Sequence, residues 1–283
     1  DVYKRQPFEE IDERIIRDMF SEIQNRTRKE RFVMVFRKLA RIAAILLIPL
    51  LSILSGYLYF NPVDQKGSIG NLVVHADRGE RSGVTLPDGT QVKLNAESSL
   101  SYTHDFGREL RQVNLEGEAY FEVTRNEDKP FVVHTKYLDI EVLGTSFNVY
   151  SYERENVMEM ALISGRIKIQ TCSEPSRVVY LKPNEKALFN KESGIITVEK
   201  TDNRFETAWL RGDLVFRSTT LSDVLAKLER RYGVNIHLND SSLANDLFTG
   251  NFDSEYIVEV MDLLERHYDF TYDVRGDDIF IHP

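Results

Sequence analysis

The chain has 283 residues and a formal net charge of −9, which is unevenly distributed. Residues 1–60 carry 11 basic and 8 acidic side chains, whereas residues 61–283 carry 25 basic and 37 acidic ones. A segment this acidic argues against direct nucleic-acid binding, because phosphates require a basic surface. Cys172 is the only cysteine, so no intrachain disulfide can form and a cysteine-ligated metal site is disfavoured.

The first predicted element is an amphipathic helix within residues 1–41. Its apolar side chains recur at every fourth position, at Ile11, Ile15, Met19 and Ile23. Such a stripe lies along one face of a helix, and an isolated helix needs a partner to cover it. We therefore expect Ile15, Met19 and Ile23 to bind a partner, either another helix of this chain or another protein. The sequence begins with Asp1 rather than Met, and we expect its natural start to lie upstream.

Residues 42–60 form an uncharged, mostly aliphatic segment of 19 residues. As a helix it would be about 28 Å long, close to the thickness of a bilayer's hydrocarbon core. We predict a retained transmembrane helix; a cleaved signal peptide and a buried core helix are the alternatives. Seven basic residues against one acidic residue between positions 26 and 41 place the N-terminal flank in the cytoplasm. Residues 61–71 are rich in turn-forming residues and are predicted to be a linker.

Residues 72–204 consist of short segments of alternating apolar and polar residues, separated by turns. The turn Pro87-Asp88-Gly89-Thr90 leads into one such segment, in which Val92 and Leu94 are the apolar positions. Turn residues recur about every eight to twelve positions without helical periodicity, which predicts an antiparallel β sandwich or roll. Gly144 lies within this series, where glycine marks a bulge or a close backbone approach.

Residues 205–283 change to alternating strand and helix patterns, so the fold class is mainly β with an α+β terminal domain. A strand, a helix capped by Thr220 or Ser222 and ended by Gly233, and another strand are followed by a second such set. The segment Leu228–Tyr232 (LERRY) recurs 36 residues later as Leu264–Tyr268 (LERHY). These patterns predict a small domain made of two βαβ-like units.

Residue patterns for catalysis or metal binding are not evident. The six histidines lack metal-ligand spacing, and the sequence has no nucleophile elbow, phosphate-binding loop or dinucleotide fingerprint. Asp88 and Cys172 are interpreted as a turn residue and an incidental thiol. Glu116, Glu118 and Glu122 could suggest a glycosidase pair, but a solvated strand face is the preferred interpretation. We predict no catalytic residue, no cofactor and no metal site.

Several motifs together resemble the FecR family. In the β region these are Leu86-Pro87-Asp88-Gly89-Thr90, Leu94-Asn95-Ala96, Val113-x-Leu115-x-Gly117-Glu118-Ala119-Tyr120-Phe121-Glu122-Val123, Lys129-Pro130-Phe131-x-Val133 and Leu143-Gly144-Thr145-Ser146-Phe147-Asn148-Val149. In the terminal region they are Trp209-x-x-Gly212-x-Leu214-x-Phe216, Leu228-Glu229-Arg230-x-Tyr232 and Phe248-Thr249-Gly250. The terminal region is similar to the C-terminal domain of Bacteroidetes-type FecR proteins, which is related to the N-terminal module of secretins and TonB-dependent receptors.

The resemblance implies a single-pass regulator, an anti-sigma factor of the inner membrane that acts in cell-surface signalling. Its periplasmic part would contact the signalling domain of a TonB-dependent outer-membrane receptor. Its cytoplasmic part would hold an extracytoplasmic-function (ECF) sigma factor and control transcription, with an intramembrane protease as a further partner. The family's cytoplasmic part is usually about twice as long as residues 1–41 and carries a Trp, whereas the only Trp here is Trp209. We therefore expect residues 1–41 to be a truncated sigma-binding region.

The receptor contact is expected in the terminal domain. Strands at Phe248 to Phe252 and Ile279 to Ile281 are predicted to leave edges that could pair with another sheet. The candidate partner-binding side chains there are Phe248, Phe252, Tyr256, Tyr272 and Phe280.

Two other classes of protein remain open alternatives. One is a periplasmic ligand- or glycan-binding protein, for which Tyr102, Phe106, Tyr120 and Phe121 are the candidate exposed aromatics. The other is an envelope-assembly protein without a sigma partner.

Overall fold

The computed structural model describes residues 47–53, 55, 70–239, 242–253 and 255–282. Residues 47–53 and residue 55 are helical. Within the described ranges, no helix is both long and apolar enough to cross a membrane. Most of the predicted span at 42–60, and the predicted stripe through Ile15, Met19 and Ile23, lie outside the described residues.

From residue 70 onward the chain first forms a β domain of thirteen strands. In chain order the strands are β1 (Leu72–Ala76), β2 (Ser82–Thr85), β3 (Gln91–Leu94), β4 (Ser98–Tyr102), β5 (Arg111–Glu122), β6 (Phe131–His134), β7 (Leu138–Val142), β8 (Ser146–Ser151), β9 (Val157–Ser164), β10 (Ile167–Thr171), β11 (Val178–Leu181), β12 (Glu185–Asn190) and β13 (Ile195–Lys200). The predicted strand series is thus confirmed, and no helix interrupts the described residues of this region.

The strands form two sheets that share β5. One sheet has the order β1-β4-β5-β6-β7-β10-β11, and the other has the order β2-β3-β5-β8-β9-β12-β13. Buried apolar side chains from both sheets make one continuous hydrophobic core. Pairing is antiparallel as predicted, except between β5 and β6, which run parallel.

Strand β5 changes sheets at Gly117. Glu116 is its last residue paired with β4, and Gly117 is its first residue paired with β8. Gly117 has a φ of 94°, and a Cβ there would lie 2.3 Å from Ser98 Oγ, so only glycine fits without rearrangement. The change of sheet also shifts which side chains face inward. Glu116 and Glu122 are exposed as expected, but Glu118 is buried, so the prediction of a solvated face was wrong for Glu118.

A buried arginine, Arg111, binds the predicted turn at Asp88, and the sequence patterns did not predict this contact. Gly89 N donates to Leu86 O at 2.9 Å and closes the turn. Arg111, the first residue of β5, is only 2 % exposed and donates to Asp88 Oδ2 at 3.0 Å. Its other donors reach the backbone carbonyl oxygens of Lys129 and Thr124, each at 2.8 Å from one guanidinium nitrogen. Asp88 therefore has a structural role, as predicted.

Gly144 lies in the bend between β7 and β8, where the backbone of another loop approaches closely. A Cβ at this position would lie 2.6 Å from Arg125 Cβ and 2.7 Å from Arg125 Cα. We expect Gly144→Val to destabilise the β domain by more than 1 kcal/mol, measured by thermal unfolding. Gly83→Val in β2 is the matched control, because its nearest neighbour atom is 3.8 Å away. An unchanged melting temperature for Gly144→Val would contradict the close approach.

The C-terminal module (residues 213–282) contains two strand–helix–strand units, as predicted. Its elements are β14 (Asp213–Thr220), α1 (Leu221–Tyr232), β15 (Asn235–Leu238), β16 (Leu247–Asp253), α2 (Ile257–Tyr268), β17 (Thr271–Arg275) and β18 (Asp278–His282), with a short 3₁₀ turn at Leu243–Asn245; another 3₁₀ turn, Ala208–Arg211, precedes the module. Thr220 Oγ1 accepts a hydrogen bond from Asp223 N at 3.3 Å and caps α1. Gly233, with a φ of 70°, ends it. Both caps agree with the sequence analysis.

In the module, strands of one strand–helix–strand unit pair with strands of the other unit. The first strands, β14 and β16, pair antiparallel with each other, while β15, β18 and β17 form a separate three-stranded sheet. Apolar residues of both sheets and both helices share one core. Strand β18 lies between β15 and β17, so the prediction of an unpaired edge at Ile279 to Ile281 was wrong. Among the described residues, β16 pairs with β14 alone and keeps one edge open.

Candidate functional site

The turn between β1 and β2 packs against the C-terminal end of α1. Gly79 N donates to Arg230 O at 2.7 Å, and Arg78 Nη1 donates to Asn235 Oδ1 at 2.9 Å. A Cβ on Gly79 would lie 3.4 Å from the backbone nitrogen of Gly233, so two glycine-containing turns meet closely. The C-terminal module is therefore docked directly on the β domain.

Arg230 is the central side chain of this docking. It is 8 % exposed and forms an ion pair with Glu155 of the β domain. It also donates to Tyr150 Oη at 3.0 Å, and its guanidinium carbon lies 4.1 Å from the ring centroid of Tyr152. Arg266, the residue 36 positions later in the repeated motif, is exposed. At this position of the repeat, the arginine of the first copy supplies an interdomain contact, while that of the second copy is exposed.

Between the β domain and the module lies a cleft of about 740 Å³. Its floor contains a buried hydrogen-bonded chain built from β5, β8, the residue that follows β3 and the 3₁₀ turn at Ala208–Arg211. Trp209 Nε1 donates to Asn148 Oδ1 at 3.0 Å, and Asn148 Nδ2 donates to Glu118 Oε1 at 2.9 Å. Asn95 Nδ2 donates to the other carboxylate oxygen of Glu118 at 2.7 Å. Trp209, the single tryptophan, therefore connects the interdomain segment to β5.

Glu118 has an unusual protonation equilibrium. Burial raises the pKa of its carboxyl from 4.5 to about 7, since the charged form loses its hydration. The hydrogen bonds from Asn95 and Asn148 and the positive charge of Lys227 oppose a larger rise. Glu118 thus keeps its proton to a higher pH than an exposed glutamate does.

Each of the two domains matches a known protein-family model. Residues 73–168 match the family model "FecR protein", and residues 213–281 match the model "FecR, C-terminal". A crystal structure of a "putative anti-sigma factor from Parabacteroides distasonis ATCC 8503" at 2.50 Å is 34% identical, with a TM-score of 0.69, and covers 75% of this chain and 99% of its own. A second one, at 1.65 Å, is also 34% identical, with a TM-score of 0.68 and coverages of 75% and 98%. No curated protein matches the sequence.

The chain belongs to the FecR family. The family and the similarity to a protein described as an anti-sigma factor support a regulatory role. Among the described residues of this FecR protein, no group of three His, Cys, Asp or Glu side chains is arranged to hold a metal ion. Cys172 is exposed.

The predicted partner-binding side chains of the FecR C-terminal module occupy different environments. Tyr256 is 78 % exposed, whereas Phe252 is buried in the module's core. Phe248 is half-buried and stacks on Phe252, with 5.7 Å between ring centroids. Tyr272 is half-buried and donates to Asp262 Oδ1 at 2.6 Å, and Phe280 stacks on an exposed histidine. Of the five side chains, Tyr256 is therefore the most accessible.

The aromatic residues considered for a glycan-binding face do not form one. Tyr102, Phe106 and Phe121 are buried in the core of the β domain, and Tyr120 is half-buried. Phe121 stacks on Phe147 with 4.9 Å between centroids, which is an interior contact. These positions therefore offer no exposed aromatic cluster, because Tyr102, Phe106 and Phe121 are part of the hydrophobic core.

The cleft residues were missed for identifiable reasons. Asn95 and Asn148 were noted only in family motifs. Glu118 was also interpreted as part of a solvated face, and Arg230 was noted in a family motif and in the repeat. Glu118 follows Gly117, and a glycine within a strand can mark a bulge that shifts the alternation of inward and outward side chains. This was the available signal for the burial of Glu118. The contact of Arg230 with Tyr150 spans 80 positions and leaves no local pattern.

The raised pKa of Glu118 makes stability depend on pH in a defined direction. The folded protein holds this proton more tightly than the unfolded chain, so the contribution is complete below about pH 4.5 and is lost as pH rises through about 7. We expect the wild type to lose about 2 kcal/mol more unfolding free energy than Glu118→Gln between pH 5 and pH 8. Urea unfolding at both pH values measures this. Equal losses in the two proteins would contradict the assignment.

Proposed function

We propose that this FecR protein is an anti-sigma regulator that relays a signal from a TonB-dependent outer-membrane receptor to a cytoplasmic ECF sigma factor. The observation that carries the proposal is its 34% identity to a protein described as an anti-sigma factor, over 99% of that protein's chain. The second support is that both FecR family models match this chain, one at residues 73–168 and the other at residues 213–281.

Residues 42–60 would hold the protein in the inner membrane, with its N-terminus in the cytoplasm and its C-terminus in the periplasm. The support is the charge pattern, since seven basic residues and one acidic residue stand between positions 26 and 41. A reporter that is active only in the periplasm, fused after Pro283, should be active. Activity of a cytoplasm-specific reporter at the same position would contradict this orientation. An intramembrane protease that cuts this segment would be a further partner.

We assign the receptor contact to the open edge of β16 and the adjoining Tyr256. An open edge offers main-chain donors and acceptors to a strand of the partner, and an exposed tyrosine can add side-chain selectivity. Tyr256→Ala should weaken binding of the receptor's signalling domain by about tenfold or more, measured by calorimetry. Tyr180→Ala is the control, because Tyr180 is 61% exposed but lies on β11 of the β domain.

Removal of residues 213–283 provides a second, broader test of the same contact. The hydrophobic core of the β domain contains no residue of this segment, so the shortened chain should keep its strands. It should no longer bind the signalling domain or respond to the nutrient signal. Binding as tight as that of the full chain would place the contact in the β domain instead.

At the cytoplasmic end, Ile15, Met19 and Ile23 would contact the sigma factor. The support is their common helical face, which nothing in residues 1–41 is predicted to cover. Met19→Asp should reduce sigma binding in a two-hybrid assay, while Asp18→Asn on another face should not. Equal binding by both variants would remove this stripe from the interface.

A further inference from the structure

Among the described residues, five basic side chains line the cleft without an ion-pair partner: Lys200, at the end of β13, and four others. Arg81 comes from the β domain, and Arg217, Lys227 and Arg231 come from the C-terminal module. Within the described part of the chain, none of the four forms an ion pair. The Nε atom of Arg231 is buried and has no hydrogen-bond partner among the described residues. A buried, unsatisfied donor is costly, so its presence indicates a missing acceptor.

Aromatic rings hold three of these cations in place. The Arg217 guanidinium carbon lies 3.2 Å from the ring centroid of Phe205, and that of Arg81 lies 5.8 Å from Trp209. Lys227 Nζ lies 5.2 Å from the ring centroid of Tyr150. Stacking on a ring face orients a cation while leaving its N–H groups free to bind another group.

Most carboxylates of the cleft have other partners: Asp202 pairs with Arg204 outside the cleft, while Glu199 forms no ion pair among the described residues. Glu159 and Glu206 both pair with Lys186, at 3.3 and 3.0 Å. Asp213 pairs with Arg211 at 3.0 Å. Glu118 accepts hydrogen bonds from two asparagines and has no described cation within ion-pair distance. Within the described residues, no acid that lines the cleft lies within ion-pair distance of these four basic side chains.

We propose that this interdomain cleft binds a small soluble oxyanion, a molecule that carries a phosphate or carboxylate group. Guanidinium groups present paired N–H donors that match the oxygens of both groups. The cleft volume of about 740 Å³ is within the range of small-molecule sites. The site lies away from the open edge of β16, and the proposal does not depend on the relay function proposed above.

The anion would bridge the two domains, because Arg81 belongs to one domain and the other three cations belong to the other. Burial and the nearby Arg231 lower the pKa of Arg81, which reflects repulsion that a bound anion relieves. A ligand that binds only the docked arrangement stabilises it by mass action. Anion binding would therefore strengthen the contact between the β domain and the module.

Trp209 fluorescence provides the test, because this only tryptophan lines the cleft. The full chain is titrated with sodium phosphate, and separately with sodium succinate, at constant ionic strength maintained with sodium chloride. We expect a saturable change in emission with at least one of the two anions and none with chloride. The tighter-binding anion identifies the preferred group.

Arg217→Gln and Arg81→Gln should each raise the dissociation constant about tenfold, as loss of a charged hydrogen bond predicts. Arg217 is exposed and no described residue accepts a hydrogen bond from its side chain, so its replacement should leave the fold intact. Arg266→Gln, on the same module but outside the cleft, should leave the constant unchanged. The absence of saturation with either anion, or equal binding by the cleft variants and the control, would overturn the proposal.

Discussion

Replacement of Arg111 by methionine is expected to lower the free energy of unfolding of the β domain by about 3–5 kcal/mol. The guanidinium is almost fully buried, and Asp88 is its ion-pair partner at 3.0 Å. Methionine fills similar space but leaves the Asp88 carboxylate and the carbonyl oxygens of Thr124 and Lys129 without these donors. Uncompensated buried acceptors carry most of the expected cost. Urea denaturation followed by circular dichroism measures the change.

Two further variants isolate the cause of this loss. Arg108→Met removes a nearby exposed arginine and should change stability by less than about 0.5 kcal/mol. Adding Asp88→Asn to Arg111→Met should recover part of the loss, because the unpaired charge is gone. A loss below 1 kcal/mol for Arg111→Met would show that the turn at Asp88 does not depend on this cation.

Arg230→Met is expected to release the C-terminal module from the β domain. Glu155 and the hydroxyl of Tyr150 would lose a charged partner at a partly buried interface, at a cost of about 2–3 kcal/mol. The free energy of docking should fall while both hydrophobic cores remain intact. Limited proteolysis should then cut the segment between β13 and β14 much faster than in the wild type.

Arg266→Met is the matched control, since it changes the same motif position in the second repeat at an exposed site. It should leave the cleavage rate unchanged. Tyr150→Phe removes only the hydroxyl and should give an intermediate rate. If Arg230→Met were cut no faster than Arg266→Met, Arg230 would not hold the two domains together.

Elements with local signals could be predicted from the sequence. In strand β3, Val92 and Leu94 are buried as predicted, since apolar alternation and the preceding turn define this strand. Helix α1 begins and ends at its predicted caps, Thr220 and Gly233, because capping depends on nearby atoms. Strand β4, with three serines in its five residues, lacked a comparable signal and was not assigned.

Features that depend on distant partners could not be predicted in this way. Trp209 and Asn148 are 61 positions apart, and Arg230 and Tyr150 are 80 apart, so neither pair leaves a periodic pattern. The central position of β18 depends on parallel pairing with β15, which alternation alone does not specify. Burial of Glu118 follows from the change of sheet at Gly117, a property of two assembled sheets.

Affinity purification of the full chain from native membranes, followed by mass spectrometry, tests the central claim most directly. The account predicts specific enrichment of an ECF sigma factor, together with a TonB-dependent receptor when its nutrient is present. Met19→Asp should lose the sigma factor, and Tyr256→Ala should lose the receptor. Recovery of the chain alone, or with a glycan and no sigma factor, would contradict the assignment of an anti-sigma regulator.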